Sequence, residues 1–180
     1  MSDLIYCYPE SNVLKNKLNI RDAEHLQKAE RILVSLRLND LLEEPVLGRF
    51  DLMHLRKIHH YLFRDVYAWA GEIRAVDIAK SNWFCKVEFI VPQTEKLFAE
   101  LKNDVYLTSL SRDEFVKKCA YYFSEINALH PFREKEVTKG DANISTFQPE
   151  GADFFYALFS LIFEIIISNQ HTKVDVSNTS

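Results

Sequence analysis

The stretch SRDEFVKKCAYYFSEINALHPFRE, Ser111 to Glu134, decides the fold. Ser111 and Glu114 stand three residues apart ahead of an apolar run, the arrangement of a capping box in which each side chain satisfies a backbone N–H of the other. Phe115, Cys119, Tyr122 or Phe123, and Ile126 then recur at helical spacing. Pro131 disfavours helical geometry at the residue before it, so the helix is expected to stop at His130. A histidine at a helix end can face a loop rather than a core.

The same signals recur upstream. Arg21 to Glu44 reads as an amphipathic helix, with Leu26, Ala29, Leu33, Leu36 and Leu41 on one stripe. Asp22 caps its start, and Pro45 with Gly48 ends it. Phe50 to Phe63 reads as a second helix, capped by Asp51, with Leu52, Leu55, Ile58 and Leu62 facing inward. A third is expected to begin near Pro92, which a first turn tolerates, and to run through Leu97 and Leu101. Between the second and third, AGEIRAVDIAKSNWFCKVEFIV (Ala70 to Val91) shows no clean helical period. Val87, Phe89 and Val91 alternate and Ser81-Asn82 is turn-prone, so a short β-hairpin is expected there. The expected fold is mainly α, with one short hairpin on a helical body.

Composition agrees. The 180 residues are 47% hydrophobic and 27% charged, enough for one domain with its own core. Only 4 Gly and 5 Pro argue against a many-turned all-β architecture. The net charge is −4 with Lys and Arg scattered, which excludes the basic stripe of a nucleic-acid binder and points to protein or small-molecule partners. Cys7, Cys85 and Cys119 form neither a Cys-x-x-Cys pair nor a zinc spacing with histidine, as in a reduced, cytoplasmic protein. MSDLIYCYPESN lacks the basic-then-apolar order of a signal peptide. ADFFYALFSLIFEIII, Ala152 to Ile167, is interrupted by Asp153 and Glu164 and falls short of the roughly 20 residues a spanning helix needs, so no membrane anchor is expected.

Three stretches carry a family resemblance. His130, Phe132 and Glu134 in LHPFRE match in register the front of the motif His-x-Phe-x-Asp/Glu-Gly-Asn-Gly-Arg-x-x-Arg. IHHYLFRDVYAWAGEIRAVDIAKSNWFC and YCYPESNVLKNKLNIRD add upstream context. The chain resembles the Fic (Fido-domain) family, whose enzymes transfer AMP from ATP to Tyr, Thr or Ser hydroxyls of target proteins. The resemblance implies a Fic-like helical core, with the hairpin as a flap near Asp77 to Phe84 that pairs with an extended target segment. It implies His130 as the base that takes the hydroxyl proton, Glu134 as ligand to a Mg²⁺ bridging the α- and β-phosphates, and Phe132 as an anchor of the loop. Lys80, with Ser81 beside it, resembles a flap position that the family keeps close to the nucleotide. A small antitoxin-like protein is the implied inhibitor of an intact relative. TFQPEG, Thr146 to Gly151, fits the family's inhibitory Ser/Thr-x-x-x-Glu-Gly/Asn pattern literally, but Pro149 is a poor helix residue and the match is read as chance.

The match breaks after Glu134. Where the family has Gly-Asn-Gly-Arg, two residues and another Arg, this chain has Lys135, Glu136, Val137, Thr138 and, at the second arginine's place, Asp141. Val137 resists the positive φ that a glycine there takes, and Glu136 and Asp141 put carboxylates near a polyanion. The expected organisation is a Fic-like part over 1–134 and an atypical segment over 135–180, consistent with a shifted reading frame. Two functions are therefore carried forward: a protein adenylyltransferase impaired by loss of its phosphate loop, and a catalytically dead remnant that binds protein. His54, His59 and His60 are read as core or solvated residues rather than metal ligands, and Trp69 and Trp83 as packing residues.

Overall fold

The structure, a computed structural model, describes residues 5–78, 84–108 and 110–133. Four helices account for most of it: α1 (Ala23–Glu43), α2 (Leu52–Phe63), α3 (Val87–Asn103) and α4 (Arg112–Leu129). Helix α1 packs on α2, α2 on α3, and α3 on α4.

The helix starts follow the residues that cap them. Asp22 accepts from the His25 amide, and Asp51 accepts from the His54 amide, each at 2.8 Å. At α4 the Ser111 and Glu114 capping box forms in both directions. These devices satisfy first-turn donors that have no partner inside the helix.

The third helix departs from expectation. Val87 to Val91 is helical rather than the second strand of a hairpin, and Pro92 lies inside α3 instead of opening it. The inner face of α3 is Ile90, Thr94, Leu97, Phe98 and Leu101, a helical stripe, whereas Phe89 and Val91 are exposed. The alternation of Val87, Phe89 and Val91 thus ran across residues that are not on the buried face. Lys86, the N-cap, makes no side-chain cap bond, and the Asp77 carboxylate accepts from the Val87 amide in its place. The turn expected at Ser81-Asn82 lies outside the described residues. A backbone hydrogen bond, Phe84 N–H to the Ile78 carbonyl at 3.3 Å, is among the contacts that join the arms on either side of it.

Among the described residues, β pairing is confined to an isolated antiparallel bridge between Cys7 and Leu14. This N-terminal segment is stitched to the rest of the domain: the Lys17 amide donates to the Val66 carbonyl, and the Tyr6 hydroxyl accepts from the Ala75 amide. The core runs from Tyr6 through Leu14, Val34, Leu55, Ile58, Leu62 and Phe63 to Phe132. Among the described residues no helix is long and apolar enough to cross a membrane. The apolar run Ala152 to Ile167 lies outside them.

Candidate active site

Helix α4 ends where Pro131 requires it to. His130 is the C-cap, in left-handed conformation at φ 44°, ψ 64°, with its amide bonded to the Ile126 carbonyl. Left-handed geometry is uncommon outside Gly, Asn and Asp, and it turns the chain sharply away from the helix axis. The His130 ring is half-buried and stacks on Phe84 at 4.3 Å between centroids.

Phe132 points into the core and is fully buried. Its ring stacks on His59, with centroids 3.9 Å apart, and His59 stacks in turn on Phe63. His59 is itself buried, and its Nδ1 accepts from the Gly71 amide at 2.8 Å, which leaves the imidazole proton on Nε2. Burial, with the neighbouring His60 and His130 adding to it, pushes the His59 pKa down to about 3. His59 is therefore a neutral packing partner under the motif turn. Gly71 takes φ +80°, and an added Cβ would lie 2.7 Å from the Arg56 carbonyl oxygen, so glycine is required there.

Arg74 lies almost wholly buried against the same turn. Its Nε donates to the His130 carbonyl at 2.8 Å, and its amide donates to the Pro131 carbonyl at 2.9 Å. Its guanidinium also donates to the carbonyls of Val76, Leu129 and Cys85. The Asp77 carboxylate lies 3.8 Å from the guanidinium, and burial lowers the Arg74 pKa from its ordinary value. A cation at the carbonyl end of α4 is favoured by the helix dipole and by acceptors that have no partner inside the helix.

The structure thus places two of the sequence-derived residues, His130 and Phe132, within one turn. Lys80, Ser81 and Glu134 lie outside the described residues. Among the described residues no three His, Cys, Asp or Glu side chains come together as a metal site, and His54, His59 and His60 do not converge on one. Trp69 packs between Tyr6 and Tyr67, and Trp83 lies outside the described residues. Three contributors carried no separate signal in the sequence: His59, Arg74 and Phe84. Arg74 stood inside the quoted stretch AGEIR, yet nothing in one sequence marks an arginine as buried.

Over 130 residues the chain is 39% identical to a Sinorhizobium fredii protein named "Probable protein adenylyltransferase y4lH", covering 71% of this chain and 66% of that protein. Over 133 residues it is 40% identical to protein adenylyltransferase VbhT of Bartonella schoenbuchensis, covering 72% of this chain and 27% of that protein. The chain thus spans just under two thirds of the first relative and about a quarter of the second. Its fold matches the N-terminal Fic domain of a Bartonella sp. AR 15-3 effector protein with a TM-score of 0.74 at 24% identity, covering 89% of this chain and 72% of that one. Residues 49–134 match the Fic/DOC family model, a span that takes in α2, α3, α4 and the His130 turn, and the chain belongs to that family.

Proposed function

We propose that this chain is built as a protein adenylyltransferase, transferring AMP from ATP to a Tyr, Thr or Ser hydroxyl of a target protein. The observation that carries the proposal is the His130 turn: an imidazole at a helix end, fixed by proline, by a buried arginine and by a stacked phenylalanine. The relatives named protein adenylyltransferases support it at 39% and 40% identity.

In this reading His130 takes the proton of the target hydroxyl. The hydroxyl oxygen forms a bond to the α-phosphorus, and the bond from that phosphorus to the pyrophosphate oxygen breaks. Phe132 anchors the turn, and Lys80 with Ser81 belongs to the nucleotide side of the flap. Glu134 is the proposed Mg²⁺ ligand. Among the described residues no donor set for a metal comes together. The target docks along the flap, a small antitoxin-like protein is the proposed inhibitor, and the compartment is the cytoplasm.

The sequence after Glu134 favours a second reading. Lys135 to Thr138 and Asp141 replace the glycines and arginines of the phosphate loop. We therefore expect transfer to be greatly reduced, with residues 135–180 acting as a segment foreign to the Fic-like part. At the limit the chain is a remnant that binds protein without turnover.

Labelled AMP transfer to protein, compared between the chain and His130→Ala, separates the two. Weak labelling abolished by the substitution supports the transferase. No labelling, together with no ATP-induced thermal stabilisation, leaves the remnant. The coding DNA around Lys135 tests the frame shift: an alternative frame without a Gly-Asn-Gly-Arg-like continuation removes it.

A further inference from the structure

Arg74 is among the largest fully buried side chains of the described residues, yet it is charged. A buried guanidinium is costly unless its donors are used. Here they are spent on backbone oxygens from three separate places. Nε and one terminal nitrogen reach His130 and Leu129 at the end of α4. The other contacts reach Val76 on one arm of the flap-bearing segment and Cys85 on the other. The Arg74 amide adds the Pro131 carbonyl.

Neighbouring bonds complete the junction. The Cys85 amide donates to the Ala128 carbonyl at 3.2 Å, inside the last turn of α4. Phe84, one residue earlier, bonds to Ile78 across the arms and lays its ring on His130. Asp77 faces the guanidinium and accepts from the first amide of α3. The arms, the start of α3 and the His130 turn therefore meet on a single guanidinium.

We propose that Arg74 is a positioning residue that locks both arms of the flap-bearing segment to the turn presenting His130, so that target registration and imidazole direction form one unit. The functional consequence rests on the assignment of His130 as the base; the lock itself does not. A lysine cannot reproduce the lock, because one ammonium lacks the planar fork that reaches several carbonyls at once.

Amide hydrogen exchange in the unmodified chain tests the lock without any need for activity. The amides of Arg74, Phe84, Cys85 and His130 are expected to open as one cooperative unit, with opening constants agreeing within about threefold. In Arg74→Lys and Arg74→Met, exchange at Phe84 and Cys85 is expected to rise at least about tenfold while α1 amides stay unchanged. The upfield ring-current shift of the His130 ring protons, a sign of stacking on Phe84, should be lost. Arg56→Lys, a control at a neighbouring arginine bonded to Gly71 and Glu72, should leave that shift in place. Independent opening of the four amides in the unmodified chain overturns the proposal, and this measurement decides if both variants fail to fold. So does an unchanged His130 shift in a folded Arg74 variant. Absence of AMP transfer by the unmodified chain supports the remnant reading, in keeping with the lost phosphate loop, and leaves the exchange result as the judge of Arg74.

Discussion

Phe132 and His59 share one stack, and the energetic role of each can be measured separately. Phe132 is fully buried with its ring 3.9 Å from that of His59. Phe132→Ala leaves a cavity under the motif turn and is expected to cost about 3–5 kcal/mol, read as a lower urea midpoint. An unchanged midpoint would show that the turn does not depend on this anchor. His59 gives a pH signature. Its folded pKa of about 3 lies below the ordinary histidine value, so the unfolded chain binds the proton first as pH falls. This contribution is fully present above pH ~6.5 and is lost as pH falls toward 3, with a slope of up to about 1.4 kcal/mol per pH unit. In His59→Gln the slope over that window should shrink; an unchanged slope would place the linkage on other groups. The motif phenylalanine was visible in the sequence. Its stacking partner was not, because a histidine on an apolar helix face looks the same whether it lies on Phe132 or on solvent.

In α1, α2 and α4 neighbouring residues fix the helix start, whereas in α3 a distant carboxylate does. The ends of α1, α2 and α4 were legible from Asp22, Asp51, Ser111, Glu114 and Pro131, because caps and prolines act within a turn of the residue that carries them. The start of α3 was not, since its first amide is capped by Asp77 from ten residues upstream. Pro92 also suggested a first turn, whereas it lies inside the helix. A proline there lacks the N–H that would bond to the Glu88 carbonyl. Pro92→Ala is therefore expected to stabilise the chain by about 1–3 kcal/mol, seen as a higher thermal midpoint. A lower midpoint would mean that the ring packs in a way the backbone bond cannot replace.

Across the whole molecule, long-range polar ties hold the helical layers in register. Glu30 of α1 is buried and accepts from the Tyr67 hydroxyl, in the segment that follows α2. Arg37 and Asp65 form a second tie between the same regions, at 2.7 Å. Removing the hydroxyl from a buried carboxylate leaves part of its desolvation uncompensated. Tyr67→Phe should therefore lower stability by about 1–3 kcal/mol in urea unfolding, and a neutral result would show that other groups satisfy Glu30 in full.

By itself the sequence determined the mainly helical class, three of the helix starts, the end of α4 at His130 and the break in the motif after Glu134. All of these rest on residue types acting over a few positions. Only the tertiary structure decided that Val87 to Val91 is helical, that His59 lies under Phe132 and that Arg74 clamps the His130 turn. The Arg74 bond to the His130 carbonyl spans 56 positions, and no local pattern reports which distant carbonyls a buried guanidinium will meet.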